Sequence, residues 1–427
     1  MKYVITSIII IFSSLYVTSF IDDQINPEIE KLTKEYNRPL DLDNNVYIEL
    51  IRLGSEMSYS ESLELYYSTL RETSKDPTKS GSEFLYPSIE NFASYEELKI
   101  VCKLKSIECL EDIKSNKKKY KKIIIKFKNI LSGYRALVKL DNFTPINSFY
   151  SEPNFEILAN LNQLATLEIY IDILDDNNEI ALSKLASMIE LDRKFLATSH
   201  EFIFDILPIV NMSARYAPLI LALKNNDTQG LEELVPLLMP LSIDELSMNR
   251  SFESFFVFGT ELLKLPVILA NNNEEASSFN LLFAKQRYKE NMTINADYQH
   301  LKRNLIPTNL SKSKLLDYLK LRKVKNDAAI ENLIEKPFFS IDNIRNPVGE
   351  IMLQIKTPKF VHIFEDKIGL DLTIILTRIL VLSGSRDLND LIESGANQNP
   401  YKDEKAFINQ EGLLCFSTSK PVCIRIK

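Results

Sequence analysis

The sequence predicts an all-α protein, an irregular helical bundle or α-solenoid-like array, with a small C-terminal β-hairpin. Three observations predict it. Glycine is scarce, 10 of 427 residues, whereas turn-rich all-β chains need many residues at positive φ. Apolar residues recur at steps of three and four, as in Tyr120, Ile124, Phe127, Leu131, Tyr134 and Val138, the spacing of one helical face. Helix-opening devices precede such stretches: Asn26 with Pro27, Ser242 with Glu245, and Asn346 with Pro347.

The chain exceeds the length at which single cores stop growing, so two domains or an elongated fold are expected. An apolar fraction of 45 % is that of a folded protein. A formal charge of −7 argues against a nucleic-acid partner, since phosphate neutralisation demands basic surfaces. The expected organisation is a signal peptide or signal-anchor helix at 1–21, a helical and irregular segment at 22–100, a helical domain at 101–345, and C-terminal helices plus the hairpin at 346–427.

The chain opens MKYVITSIIIIFSSLYVTSFIDD. Lys2 precedes an uncharged run over 3–20, and Asp22 and Asp23 follow it. The run reaches the lower limit for a spanning helix, about 17–25 residues. Val17 and Ser19 also stand three and one before a possible cleavage ahead of Phe20. The expectation is a retained single-pass anchor of the cell inner membrane with a periplasmic domain, because the residue before the cut is not alanine. The alternative is a soluble periplasmic or secreted protein cleaved near Ser19. Either way the lysine stays inside and the aspartates are exported.

The next elements follow in order. In NPEIEKLTKEYN, Asn26 caps, Pro27 takes the first helical position, and Glu28 and Glu30 suit the positive end. Short helices are expected at 46–53 and in SESLELYYSTLRET, and GSEFLYPSIENFASYEEL reads as an irregular connection. Lys117, Lys118, Lys121, Lys122, Lys126 and Lys128 fall off the apolar seam of 107–140, on a solvated face. A basic surface facing lipid headgroups is the alternative. Helices are expected at 155–174, 180–198 and 201–224, with Pro208 and Pro218 kinking or splitting the third.

DTQGLEELVPLL adds a short helix. Ser242 and Glu245 form a capping box, expected to open the helix carrying Phe252, Phe255, Phe256, Leu262 and Leu263 and ending by Pro266. KLLDYLKLRKVKNDAAIENLIE reads as one or two helices. Asn346 and Pro347 open a helix ending before Pro358, and Thr357 and Pro358 repeat the device for a helix from Phe360 to Leu382. In SGSRD, Ser385 is expected to cap a small helix over 387–393. Two or three short strands finish the chain.

The four cysteines form close pairs, Cys102 with Cys109 and Cys415 with Cys423. In an exported chain this spacing predicts two local disulfides. Pairing about Ser419 would set Cys415 opposite Cys423 across the hairpin. Free buried thiols and a zinc site are the alternatives; the latter lacks tight spacing and a nearby histidine.

No local sequence pattern identifies a catalytic, metal or cofactor site. The three histidines, His200, His300 and His362, share no metal spacing, and His362 stands near Glu365 and Asp366 as an exposed histidine beside acids. No nucleophile elbow, phosphate loop or dinucleotide fingerprint occurs. Glu253 and Glu261 share a helix with Arg250, but two turns, about 12 Å, separate the glutamates, too far for a retaining glycosidase pair. Sequons occur at Asn142, Asn211, Asn226, Asn249, Asn291 and Asn309.

Several strings, in order, carry a resemblance: DDQINPEIEKL, NNVYIELIRLG, the first cysteine pair leading into LSGYRALV, YKENMTIN, and NPVGEIMLQI with a closing NPY…GLLCF. Together they are similar to an uncharacterised family of proteobacterial envelope proteins. The resemblance implies an N-terminal hydrophobic segment and a mostly helical exported part, and brings no catalytic residues. This chain departs from it in the basic helix and the second cysteine pair. The tail also resembles the strand-rich ends of pseudopilin-type proteins. The functional expectation is a non-catalytic helical interaction module without cofactor, exposed outside the cytoplasmic membrane and binding an envelope protein or peptidoglycan. The alternative is a carboxylate-dependent cell-wall hydrolase.

Overall fold

A computed structural model describes residues 21–36, 43–55, 57–73, 107–143, 155–272, 288–334, 345–356, 361–384, 386–394, 397–418 and 421–426. Among these residues the fold is α-helical, with one small antiparallel sheet at the C-terminal end. The residues divide into two compact units, each assembled from separated stretches. Unit 1 takes 1–39, 251–307 and 316–361; unit 2 takes 40–250, 308–315 and 362–427. The apolar run at 3–20, GSEFLYPSIENFASYEEL, Cys102, Thr357, Pro358 and Ser385 lie outside the described residues.

The expected elements form, with informative shifts. Pro27–Tyr36 begins on Asn26, whose side chain accepts the Glu28 amide at 2.9 Å. Val46–Ser55 and Tyr59–Thr73 follow. The second opens on a reciprocal box, Ser58 accepting from the Glu61 amide and Glu61 from the Ser58 amide.

The basic stretch is three helices, Ile107–Ser115, Lys117–Lys126 and Lys128–Ala136, rather than one. The break at Phe127 rotates the seam. Tyr120, Phe127, Leu131 and Tyr134 are buried as expected, but Ile123 and Leu137 replace Ile124 and Val138. Most of its lysines face water, while Lys117 and Lys121 share Asp175 at 2.5 Å each.

Phe155–Leu174, Asn178–Thr198 and a continuous helix from Phe202 to Asn225 build the centre of unit 2. Phe155–Leu174 buries Leu158, Leu161, Leu164, Leu167, Ile169, Ile171 and Ile173, residues from all around it, as a helix enclosed by others must. Phe195 stacks on Phe204 at 4.2 Å, with Phe143 and Tyr47 edge-on to the pair.

Two expectations about the next region are corrected. The Ser242–Glu245 box is present, but the helix it opens is only Ile243–Leu246. Arg193 holds Glu245 at 2.6 Å, fixing this turn, and the phenylalanine-rich helix starts separately at Asn249. That helix runs to Asn272 and does not end at Pro266. A proline removes one i→i−4 bond and crowds one carbonyl, which a long helix can absorb. A second single helix, Lys312–Ile334, accounts for the KLLDYLKLRK stretch.

In unit 1 the residues after the apolar run close the fold. The Glu290–Asn304 helix has no capping side chain of its own at Lys289. Asp22 supplies the cap from far away in sequence, accepting the Asn291 and Met292 amides at 3.0 Å each. Asn295 accepts the Asn26 amide and donates to the Gln24 carbonyl. Asn346 caps Pro347–Lys356 and also accepts the Lys289 amide at 2.8 Å. Gly349 allows that approach: a Cβ there would lie 2.1 Å from the Thr293 hydroxyl.

Val361–Leu382 and Leu388–Glu393 lead to the sheet. The cap of the short helix is Asp387, whose Oδ1 accepts both the Asn389 and Asp390 amides, and not the expected Ser385. Strands β1 (Phe407–Ile408), β2 (Leu413–Phe416) and β3 (Val422–Arg425) pair antiparallel in the order β1-β2-β3. Cys415 faces Cys423 in the β2–β3 register, and the two are disulfide-bonded.

Candidate functional site: a buried carboxylate network in unit 2

The strongest concentration of perturbed polar groups in unit 2 lies where three apolar helices meet. Each contributes a polar residue at a position its seam would give to leucine. Phe155–Leu174 brings Asn162, Asn178–Thr198 brings Asp192, and Phe202–Asn211 ends on Asn211. Asn211 donates to both oxygens of Asp192, at 3.2 and 2.9 Å, and to Asn162 Oδ1 at 3.1 Å. Asn162 donates to the Tyr134 hydroxyl at 2.6 Å.

The backbone adapts to this cluster. Between Met212 and Tyr216 the helix widens into a π-helical turn. Such turns are rare and often found at functional positions. Here the turn follows Asn211 and precedes Pro218, whose missing N–H the wider spacing accommodates. Across it Arg215 donates to Asn211 Oδ1 at 2.7 Å. Pro208 and Pro218 therefore leave the helix continuous, with the irregularity placed between them.

Burial sets the electrostatics. Asp192 is 4 % exposed, and desolvation pushes its carboxyl up to about 7, against the opposing pull of Asn211, Tyr216 and Arg215. Desolvation also raises the Tyr134 and Tyr216 phenols and lowers the Arg215 guanidinium. A carboxyl poised near 7 has the affinity wanted of a general acid or base. This one sits among amides, a phenol and a guanidinium inside the core. The arrangement ties three helices together through one hydrogen-bonded cluster.

A second buried line runs along Val361–Leu382. Lys367 and Asp371, four residues apart, are both fully buried. Lys367 meets Asp205 at 2.6 Å and the Ser247 carbonyl at 3.3 Å. Asp371 accepts from Lys312 at 2.7 Å, Tyr401 at 2.7 Å and the Leu241 amide at 2.6 Å. Both charges are paired and bonded, as buried ions must be.

The residues singled out from sequence do not converge here. His362 is exposed and lies 3.6 Å from Glu365, an exposed histidine beside an acid as expected. Burial, with Arg250 nearby, lowers the His200 imidazole to about 4. Arg250 donates to the Ala197 carbonyl, Glu253 accepts from the Tyr36 hydroxyl at 3.1 Å, and the Glu261 side chain lies outside the described residues. Among the described residues no group of three histidine, cysteine, aspartate or glutamate side chains is placed to hold a metal. Cys109 is disulfide-bonded; its expected partner Cys102 lies outside the described residues. The sequon at Asn211 is buried in the network, where no glycan fits.

Sequence reasoning missed Asp192, Asn211, Lys367 and Asp371. A signal was present for two of them, since Asn211 in DILPIVNM and Asp371 in KIGLDLT stand among apolar residues, whereas Asp192 in ELDRKFL and Lys367 in FEDKIGL sit beside other charges that hide them. One helix among the described residues, Phe202–Asn225, is long and apolar enough to cross a membrane, and half of its apolar window is buried inside the protein. Its Asp205 and Asn211 bond Lys367 and Asp192, the contacts of a core helix. No family model matches the chain, and no curated protein or solved structure is significantly similar to it.

Proposed function

We propose that this chain is a non-catalytic envelope protein, held by the apolar run at 3–20 and presenting its helical units outside the cytoplasmic membrane to another envelope protein or to peptidoglycan. The observation that carries the reading is the Cys415–Cys423 disulfide, set across a hairpin register that the sequence pattern anticipates. Such bonds persist in oxidising compartments and are rare in the cytosol. A chain opening with an export-type segment and closing with a stapled hairpin is consistent at both ends with life outside the cytoplasm. The resemblance to proteobacterial envelope proteins points the same way.

The interaction role follows from where the polar chemistry lies. The carboxylates with the most unusual surroundings, Asp192, Asp205 and Asp371, are fastened to neighbouring side chains and backbone within the core. They stabilise an arrangement of helices and leave recognition to the surfaces.

Alkaline phosphatase fused after Asp23 should be active outside the cytoplasm, and mass spectrometry of unreduced protein should find Cys415 joined to Cys423. An inactive fusion retained in the cytosol, or four free thiols, defeats the reading. Crosslinking in intact envelopes should then capture a discrete partner through the helical units.

A further inference from the structure

The residues that follow the apolar run enter unit 1 without a spacer. The Ile21 carbonyl already accepts from Arg345 at 3.2 Å. Arg345 also holds the Asp23 carboxylate at 2.9 Å. Asp22 caps the Glu290–Asn304 helix. Asn291 donates to the Asp23 carbonyl at 2.9 Å, and Asn295 binds both Gln24 and Asn26. Glu28 continues the line to Tyr298 at 3.2 Å. Six residues between 21 and 28 thus form a strap held by Arg345 and one face of the Glu290–Asn304 helix, while Ile21 stays 56 % exposed.

Chain reach then fixes the geometry. Two extended residues span about 7 Å at most, and the headgroup layer on either side of a bilayer is about 5–8 Å deep. If the hydrocarbon ends at Phe20, a strap pinned from residue 21 onward leaves unit 1 no slack with which to stand away from the surface. Resting on the reading that residues 3–20 remain in the bilayer, we propose that unit 1 docks on phospholipid headgroups through its strap face. That face comprises residues 21–24, the first turn of the Glu290–Asn304 helix, and Arg345.

The chemistry of the face fits this occupant. Headgroup phosphates would repel two bare carboxylates. Asp22 is occupied by two helix amides and Asp23 by a guanidinium. Ile21, next in sequence to the apolar run, is an exposed aliphatic residue.

The test uses the full chain reconstituted in phosphatidylcholine vesicles containing headgroup spin-labelled lipid. A fluorescent residue is placed at Gln24, or at Gln299, which is exposed on the same helix about 13 Å beyond its start at 1.5 Å per residue. Membrane integration is scored in the same samples by resistance to alkaline carbonate. Quenching should be several-fold stronger at position 24 than at 299. Hydrogen exchange at the Asn291 and Met292 amides should quicken about 5- to 30-fold in Asp22→Ala, the usual consequence of losing a cap.

Equal quenching at the two positions in carbonate-resistant chain overturns the docking face alone. A chain released by carbonate overturns the retained anchor and the docking face together. Unchanged exchange in Asp22→Ala overturns the strap.

Discussion

The carboxylates that fasten the two units differ in their surroundings. In unit 2 the side chains of Asp205 and its partner Lys367 are 6 % and 1 % exposed, and Asp192 and Asp371 are buried in the helical core. Unit 1 keeps Asp22, Asp23 and Glu28 at or near the surface, bonding helix amides, Arg345 and Lys302. The difference teaches where polar contacts decide stability. A buried ion that loses its partner keeps its full desolvation cost, whereas an exposed one recovers water.

The largest effect should follow from breaking a buried pair. Lys367→Ala removes the buried ion pair with Asp205 and should lower the stability of the full chain by about 3–5 kcal/mol in urea titration. Replacing both partners by apolar residues, Lys367→Met with Asp205→Leu, should restore most of the loss. A double variant as unstable as the single one would mean that shape, not charge, makes this contact.

Asp192 gives the next effect, and its sign is specific. Its folded-state affinity for the proton is raised, to about 7, so the folded protein binds a proton that the unfolded chain releases above about pH 4. The contribution is fully present below pH 4 and is lost as pH rises through 7, at most about 4 kcal/mol at 1.36 kcal/mol per unit. Asp192→Asn should flatten stability between pH 4 and 7 relative to the parent. An unchanged profile would place the titration elsewhere.

The covalent staple comes third. Cys415→Ser with Cys423→Ser frees a short loop and should lower thermal stability by about 2–3 kcal/mol, the chain-entropy value for a loop of this size. Calorimetry under non-reducing conditions reads it, and with reductant in both samples the parent and the variant should match. The strap is the smallest: Asp22→Ala should cost about 1 kcal/mol, detected as faster proteolysis of unit 1. A loss as large as that of Lys367→Ala would erase the contrast between the units.

Local devices were legible. Asn26–Pro27, Asn346–Pro347 and the Ser242–Glu245 box all cap helices, because a cap needs only residues adjacent in sequence. The register of Cys415 with Cys423 was legible for the same reason. The seam through Tyr120, Phe127, Leu131 and Tyr134 could be read, but not the break at Phe127 that moved its ends to Ile123 and Leu137. Nor did a capping box reveal how short its helix would be, since Arg193 fixes that turn from another helix.

The sequence by itself determined the helical class, the positions of most helices and the stapled hairpin, because these depend on periodicity and on partners within a few residues. Tertiary structure alone decided that Asp22 caps a helix some 270 residues away, that Asp192 shares a buried polar network with Asn162 and Asn211, and that Lys367 meets Asp205. Those choices depend on which polar groups are deprived of water together. That is set only when distant apolar surfaces close over them.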